Sequence, residues 1–185
     1  MSEQRRSPWA LDTRELGRRP GLSRKVHRVV HAQEPLGVEG VICVPKDARV
    51  ELEILLESVV EGVLVSGTAY APIEGECSRC LDPITGGEIE VEFTELFAYP
   101  DSATEQTTDE DEIARLVDDL VDLEPVVRDA TVLALPSVPL CTPDCAGLCP
   151  DCGAKWADLG PDHRHETIDP RWAALTERFS TDRDD

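Results

Sequence analysis

Aromatic side chains are scarce in this chain: three Trp, two Tyr and three Phe among 185 residues. No stretch of 18 apolar residues occurs, which excludes a helical membrane span and any membrane partner reached through one. No basic-then-apolar leader opens the sequence, so a cytoplasmic location is expected rather than secretion. The common nucleotide and hydrolase signatures are missing as well. There is no Walker loop, no GxGxxG and no HExxH, and nothing predicts a small-molecule substrate. Basic residues are few: 18 Lys and Arg stand against 38 Asp and Glu, a formal net charge of -20. A chain of that sign repels phosphate backbones, which argues against bulk nucleic-acid binding. Hydrophobic residues make up 41%, enough to build a core, so a wholly disordered acidic chain is excluded.

The charge is unevenly placed. Residues 1–30 carry eight basic and three acidic side chains, +5, whereas residues 31–185 carry ten basic and 35 acidic, -25. The basic stretch leaves room for a limited RNA contact through Arg18, Arg19, Arg24, Lys25 and Arg28, with Arg79 a further phosphate candidate. The acidic remainder makes a basic protein the natural partner.

Residues 1–38 read as a basic N-terminal arm in which 8–15 could form a first strand, ended by Gly17, Pro20 and Gly21. Leu22, Val26 and Val29 then fall on one helical face. Residues 39–140 read as an antiparallel β-rich body. Val50, Leu52, Ile54 and Leu56 alternate with Glu51, Glu53 and Glu57, the period of two of a half-buried strand. Val59 to Tyr70 is a second such run, and Ile89, Val91 and Phe93 alternate with Glu88, Glu90, Glu92 and Glu95. Residues 98–112 form an acidic loop, and 113–122 suit either a short helix or the end of a strand. A helix is predicted over 123–135, with Asp122 as cap, Glu124 and Pro125 in its first turn, and Val126, Val127, Ala130, Leu133 and Ala134 as the stripe packed on the sheet. Residues 141–185 read as a Cys/His metal module and tail, with a last amphipathic segment after Pro170. The fold class expected is α+β: an antiparallel β-rich body, one or two packing helices, and a small C-terminal zinc-knuckle module.

Seven cysteines are many for a chain expected to stay in a reducing compartment, and their spacings point to metal rather than disulfides. Cys43 is the exception, a small apolar residue within Val41-Ile42-Cys43-Val44. Cys149-Pro150-Asp151-Cys152-Gly153 is a zinc-knuckle half-site: two sulfurs two residues apart chelate one ion, and the glycine permits the tight turn. Its second half could come from Cys141 and Cys145, from Cys77 and Cys80 near a hairpin end, or from His163 and His165. Two ions are equally compatible, and spacing does not partition the donors. An all-cysteine site is closed and structural, whereas an open zinc at His163 and His165 would belong to a metalloenzyme.

Cys77-Ser78-Arg79-Cys80, Asp122-Leu123-Glu124-Pro125, Leu133-Ala134-Leu135-Pro136, Asp144-Cys145-Ala146-Gly147-Leu148-Cys149-Pro150-Asp151-Cys152-Gly153 and Ile168-Asp169-Pro170-Arg171-Trp172 occur in this order. Together they resemble the YceD family, the large ribosomal RNA subunit accumulation proteins, in an actinobacterial-looking form with a C-terminal cysteine cluster. The resemblance spans roughly residues 8–178. It implies a role in accumulation of large-subunit ribosomal RNA with no established catalysis. Many relatives carry a CxC after the CPxCG; here His163-Arg164-His165 stands at that place, which the resemblance marks as a replacement donor pair. The expectation is a non-enzymatic ribosome-biogenesis factor that holds zinc and binds a basic large-subunit ribosomal protein or assembly factor, with limited rRNA contact. The alternatives are an accessory protein that recruits an RNA-processing nuclease, and the open-site metalloenzyme.

Overall fold

The computed structural model describes residues 7–100, 102, 114–165 and 171. The chain divides into two compact units, Met1–Cys145 and Ala146–Asp185. The first is an antiparallel β-rich body with one helix. Its strands are β1 (Ala10–Asp12), β2 (Ser23–His31), β3 (Leu36–Val38), β4 (Ile42–Val44), β5 (Arg49–Ser58), β6 (Gly62–Glu76), β7 (Pro83–Ala98) and β8 (Leu120–Asp122), and its helix is α1 (Glu124–Ala134).

The main sheet is organised around β6. Its 15 residues are long enough for β5 to pair with its first half, from Ser58↔Val63 to Glu51↔Tyr70, and for β4 to pair farther along at Gly75. β7 runs along the opposite edge, and the order β2-β5-β6-β4-β3 completes the sheet. Gly75 sits where the register shifts, and a Cβ there would lie 2.3 Å from the Val41 carbonyl oxygen, so only glycine allows β4 to approach. β1 and β8 form a separate two-stranded sheet.

The alternation that predicts β5 also sets the core. Val50, Leu52 and Leu56 are fully buried and Ile54 nearly so, together with Val63 and Val65 from β6, Phe93 and Phe97 from β7, and Trp9, Val121 and Leu123. Leu52→Ala removes a fully buried side chain from the middle of this cluster and is expected to cost about 2–5 kcal/mol. A urea titration would read it as a lower midpoint at unchanged slope; an unchanged midpoint would contradict this placement of the core.

Residues 22–31 correct the helical expectation. They form β2, paired over nine residues with β5 from Ser23↔Glu57 to His31↔Arg49. Val26, Arg28 and Val30 turn inward while their neighbours stay exposed, a period of two that the spacing of Leu22, Val26 and Val29 concealed. β-branched Val26, Val29 and Val30 suit the pleated surface, and a ready partner strand outweighs a weak helical stripe. Residues 1–38 are therefore not an arm apart from the body: β2 and β3 are strands of its sheet, and only Ala10–Asp12 of the proposed first strand is extended.

Residues 114–122 contain no helix; they end in β8 after a turn at Asp118 and Asp119, both at positive φ. In the acidic loop, residue 101 and residues 103–113 lie outside the described residues, as does the amphipathic segment after Pro170 apart from Arg171. Helix α1 begins one residue inside the predicted span. The Asp122 carboxylate accepts the Glu124 N–H at 3.1 Å, and Pro125 occupies the first turn. Val127 and Thr131 form the buried stripe, with Val126 and Ala130 partly packed. Leu133 and Ala134 do not join it: at 100° per residue Leu133 points well away from the Val127–Thr131 line and is 85% exposed, and Ala134 at the helix end is exposed as well. No helix among the described residues is long and apolar enough to cross a membrane.

Candidate metal centres

The eight predicted donors separate into two groups of four. Cys77, Cys80, Cys141 and Cys145 form one, within the first unit; Cys149, Cys152, His163 and His165 form the other, within the second. In each group the donor atoms lie within 4.8 Å of one another. Cys141 and Cys145, which the sequence places in the segment 141–185, thus lie with the hairpin cysteines of the body.

The first group is built by the β6–β7 hairpin. The strands end at Glu76 and begin again at Pro83, and residues 77–82 form the loop between them. The Leu81 N–H donates to the Cys77 carbonyl and the Cys77 N–H to that of Asp82, both near 2.9 Å, with Leu81 at φ 59° turning the chain. The segment after α1 meets this loop: the Ser78 N–H donates to Pro139 O at 2.9 Å, and Arg79 Nη1 donates to Cys145 O at 2.9 Å. Arg79, read from sequence as a phosphate candidate, ties the hairpin loop to the segment carrying Cys145 through this bond. Cys77 and Cys145 sulfurs are 3.7 Å apart, and Cys80 and Cys141 sulfurs 3.6 Å. Four thiolates around zinc at about 2.3 Å would be separated by about 3.8 Å along each tetrahedral edge. A disulfide needs about 2.05 Å, and none of the seven cysteines is disulfide-bonded.

The electrostatics suit this donor set. The Cys141 backbone N–H, helped by those of Cys80 and Arg79, holds the Cys77 thiol down to about 6 against the opposing effect of burial. For Cys80 the Asp82 N–H acts downward, but burial and the neighbouring Cys77, Cys145 and Cys141 sulfurs push it up to about 12. Four thiols packed together keep one proton tightly and release another easily, a charge that a dication would balance.

The second group sits on a knuckle hairpin. Gly153, at φ 71°, donates to Cys149 O at 2.8 Å, the Cys149 N–H donates to Ala154 O at 2.7 Å, and Leu148 pairs antiparallel with Lys155. Burial acts on the Cys149 thiol upward, but the Cys152 and Asp151 N–H groups and the Cys152 side chain carry it below its usual value. Cys152 Sγ lies 3.7 Å from His163 Nε2, close to the edge of about 3.6 Å for mixed sulfur and nitrogen ligands. His163 Nε2 and His165 Nε2 are 2.8 Å apart, a hydrogen-bond distance that must open by a few tenths of an ångström to hold one ion between them. Trp156 packs edge-on to His163 with ring centres 5.5 Å apart, a supporting contact that no sequence motif marked. Both groups fit a metal ion such as zinc by donor type and spacing.

The remaining predicted residues do not converge on either group. Cys43 is buried in β4, and burial, with Glu74 and Glu39 nearby, raises its thiol. Arg18 lies over the Tyr99 ring at 4.7 Å and 3.9 Å from Asp119, Arg24 pairs with Glu15 at 2.9 Å, and Arg28 donates to Ala10 O at 2.8 Å. Arg18, Arg24 and Arg28 thus have partners within the body, and Arg18, Arg19, Arg24 and Lys25 are all exposed.

The family model described as "Large ribosomal RNA subunit accumulation protein YceD" matches residues 65–177. An uncharacterized protein of Mycobacterium tuberculosis is 51% identical over 178 residues, 96% of this chain and 84% of its own length. One from Mycobacterium leprae is 42% identical over 176 residues, 95% of this chain and 80% of its own. The uncharacterized protein YlbN of Bacillus subtilis is 26% identical over 119 residues, 64% of each chain. No solved structure matches significantly. The matched span runs from near the start of β6 through the hairpin loop, the helix and both donor groups, and with the near-full-length mycobacterial likeness it places this chain in the YceD family.

Proposed function

We propose that this protein is a non-enzymatic, cytoplasmic ribosome-biogenesis factor that supports accumulation of large-subunit ribosomal RNA by binding a basic large-subunit ribosomal protein or assembly factor. Membership of the YceD family is the observation that carries this reading. Charge supports the mode of action: beyond residue 30, 35 carboxylates face ten basic side chains. A basic protein is attracted to such a surface while RNA is repelled, so any rRNA contact stays local, through residues such as Arg19 and Lys25.

Zinc fits both donor groups and would serve as structure. Each group offers four protein ligands, which leaves no position for a substrate or an activated water. That set weighs against a metalloenzyme centred on His163 and His165. Recruitment of an RNA-processing nuclease is the reading to which crosslinks to such an enzyme would turn the case.

Crosslinking and pull-down of the tagged chain from growing cells tests the proposal. Basic large-subunit ribosomal proteins should be captured at about 0.1 M salt and lost near 1 M, where the screening length falls from about 10 to about 3 Å. Salt-insensitive capture of neutral proteins, with nothing ribosomal, would overturn it. RNA crosslinks confined to residues 18–28 would favour direct binding of precursor rRNA instead.

A further inference from the structure

β7 lies at the margin of the main sheet, paired with β6 without a break from Gly87 to Ala98 and again, past a register shift, at Pro83 and Ile84. On its other edge, among the described residues, pairing is confined to Ala98, which bridges to Arg115. The strand before Ala98 therefore offers a row of backbone donors and acceptors to an incoming strand. Between this strand and α1 runs a groove of about 1200 Å³. Phe93 and Leu133 contribute to its apolar lining, and Leu133 is 85% exposed there. Glu92, Glu95 and Asp129 are among five carboxylates around it, against a single lining cation, Arg115.

We propose that this groove docks an extended Lys/Arg-rich segment of a partner protein, which adds a strand to the edge of β7. The proposal rests on the basic-partner reading above and gives it an address. Three features select this occupant. An open strand edge recognises extended backbone of any sequence, so affinity begins with main-chain hydrogen bonds. Alternation then sends every second side chain of the guest toward one face, where cations meet the carboxylates and an intervening apolar residue can cover Leu133. The excess of negative charge rejects the competitors: RNA is repelled, a second copy's β7 would set glutamate against glutamate, and residues 101–112 of this chain are themselves acidic. One self-interaction stays electrostatically allowed, a second copy's β2 with Arg24, Lys25 and Arg28, and the test includes it.

The test uses the full chain and a fluorescent peptide of about twelve residues alternating Arg with Val, long enough to lie along the strand at about 3.4 Å per residue. Anisotropy at about 0.1 M salt gives the affinity. Glu92→Lys with Asp129→Lys should weaken binding about tenfold or more, and Leu133→Ser should weaken it too. A control pair with the same charge change elsewhere, Glu61→Lys with Glu74→Lys, should change it less than about twofold. Equal weakening by both pairs would mean that the field of the whole body holds the peptide. That outcome overturns the groove and leaves the basic-partner reading intact. Peptide binding confined to the groove, with no ribosomal protein captured from cells, would do the reverse. No peptide binding, with basic ribosomal proteins still captured, overturns the groove alone. Self-association in sedimentation that the groove variants abolish would assign the groove to a second copy's β2 and overturn the proposal.

Discussion

Cys77→Ser should lower the stability of the zinc-loaded body by about 4 kcal/mol. The estimate treats the ion as a crosslink. Its ligands join the β6–β7 hairpin to the segment after α1 across 61 to 68 residues. Closing a loop of that length removes unfolded-state entropy worth about 4 kcal/mol if the centre behaves as a disulfide of the same span. Serine keeps the size of the side chain but supplies a poor ligand for zinc, so the closure is lost with little change in volume. Urea titrations under reducing conditions would measure the difference, and a chelator supplies the control. With metal removed from both proteins, the variant and the wild type should differ by less than about 1 kcal/mol. A difference that persists in chelator would assign the effect to packing of Cys77 rather than to metal.

The same centre should show a defined pH dependence. Ligands must be thiolates, and Cys80, pushed up to about 12 without metal, carries a proton near neutrality that loading must displace. Apparent zinc affinity should therefore fall as pH falls. Cys77, held down to about 6, gives up its proton more readily and adds to the loss only as pH approaches that value.

Chelation should abolish the fold around residues 147–160 while leaving the β-rich body folded. Among the described residues of the second unit, only Gly147 and Cys149 are buried. Its backbone ties are local, among them the Cys149–Ala154 and Gly153–Cys149 bonds, the Leu148–Lys155 bridge and the Trp156 N–H to Gly147 O bond at 3.0 Å. Backbone ordering costs about 1–2 kcal/mol per residue, and the described part of this unit has no apolar core to offset it. A structural zinc contributes about 10–16 kcal/mol of apparent binding free energy, the scale needed to hold such a segment. Amide hydrogen exchange resolves the outcome region by region. Protection at Cys149, Gly153 and Trp156 should disappear in chelator and in Cys149→Ser, whereas β5 and β6 should stay protected. Retained protection at Cys149 and Gly153 in chelator would show that the hairpin folds without metal.

Local patterns made much of this legible. The alternation in 50–56 and 89–93 places β5 and β7, and Pro125 with Asp122 places the start of α1, because strand pleat and helix entry depend on near neighbours in sequence. β2 was obscured because Leu22, Val26 and Val29 satisfy a weak helical spacing as well as a strand, and its nine-residue register with β5 is a long-range fact. Leu133 misled for the opposite reason. Its sequence suits the helix, but the orientation of α1 on the sheet is fixed by Val127 and Thr131.

By itself the sequence determined that this protein carries two knuckle half-sites, an acidic body and a β-rich core, since each follows from residue type and short spacing. Only the tertiary structure decided which donors meet. Loop-closure entropy grows with the logarithm of length, so pairing Cys77 with Cys141 across the body costs little more than pairing it nearby. Spacing could not choose between those partitions. The β6–β7 hairpin and the Ser78–Pro139 and Arg79–Cys145 bonds bring one set of four together, and the Gly153 turn with its knuckle hairpin gathers the other.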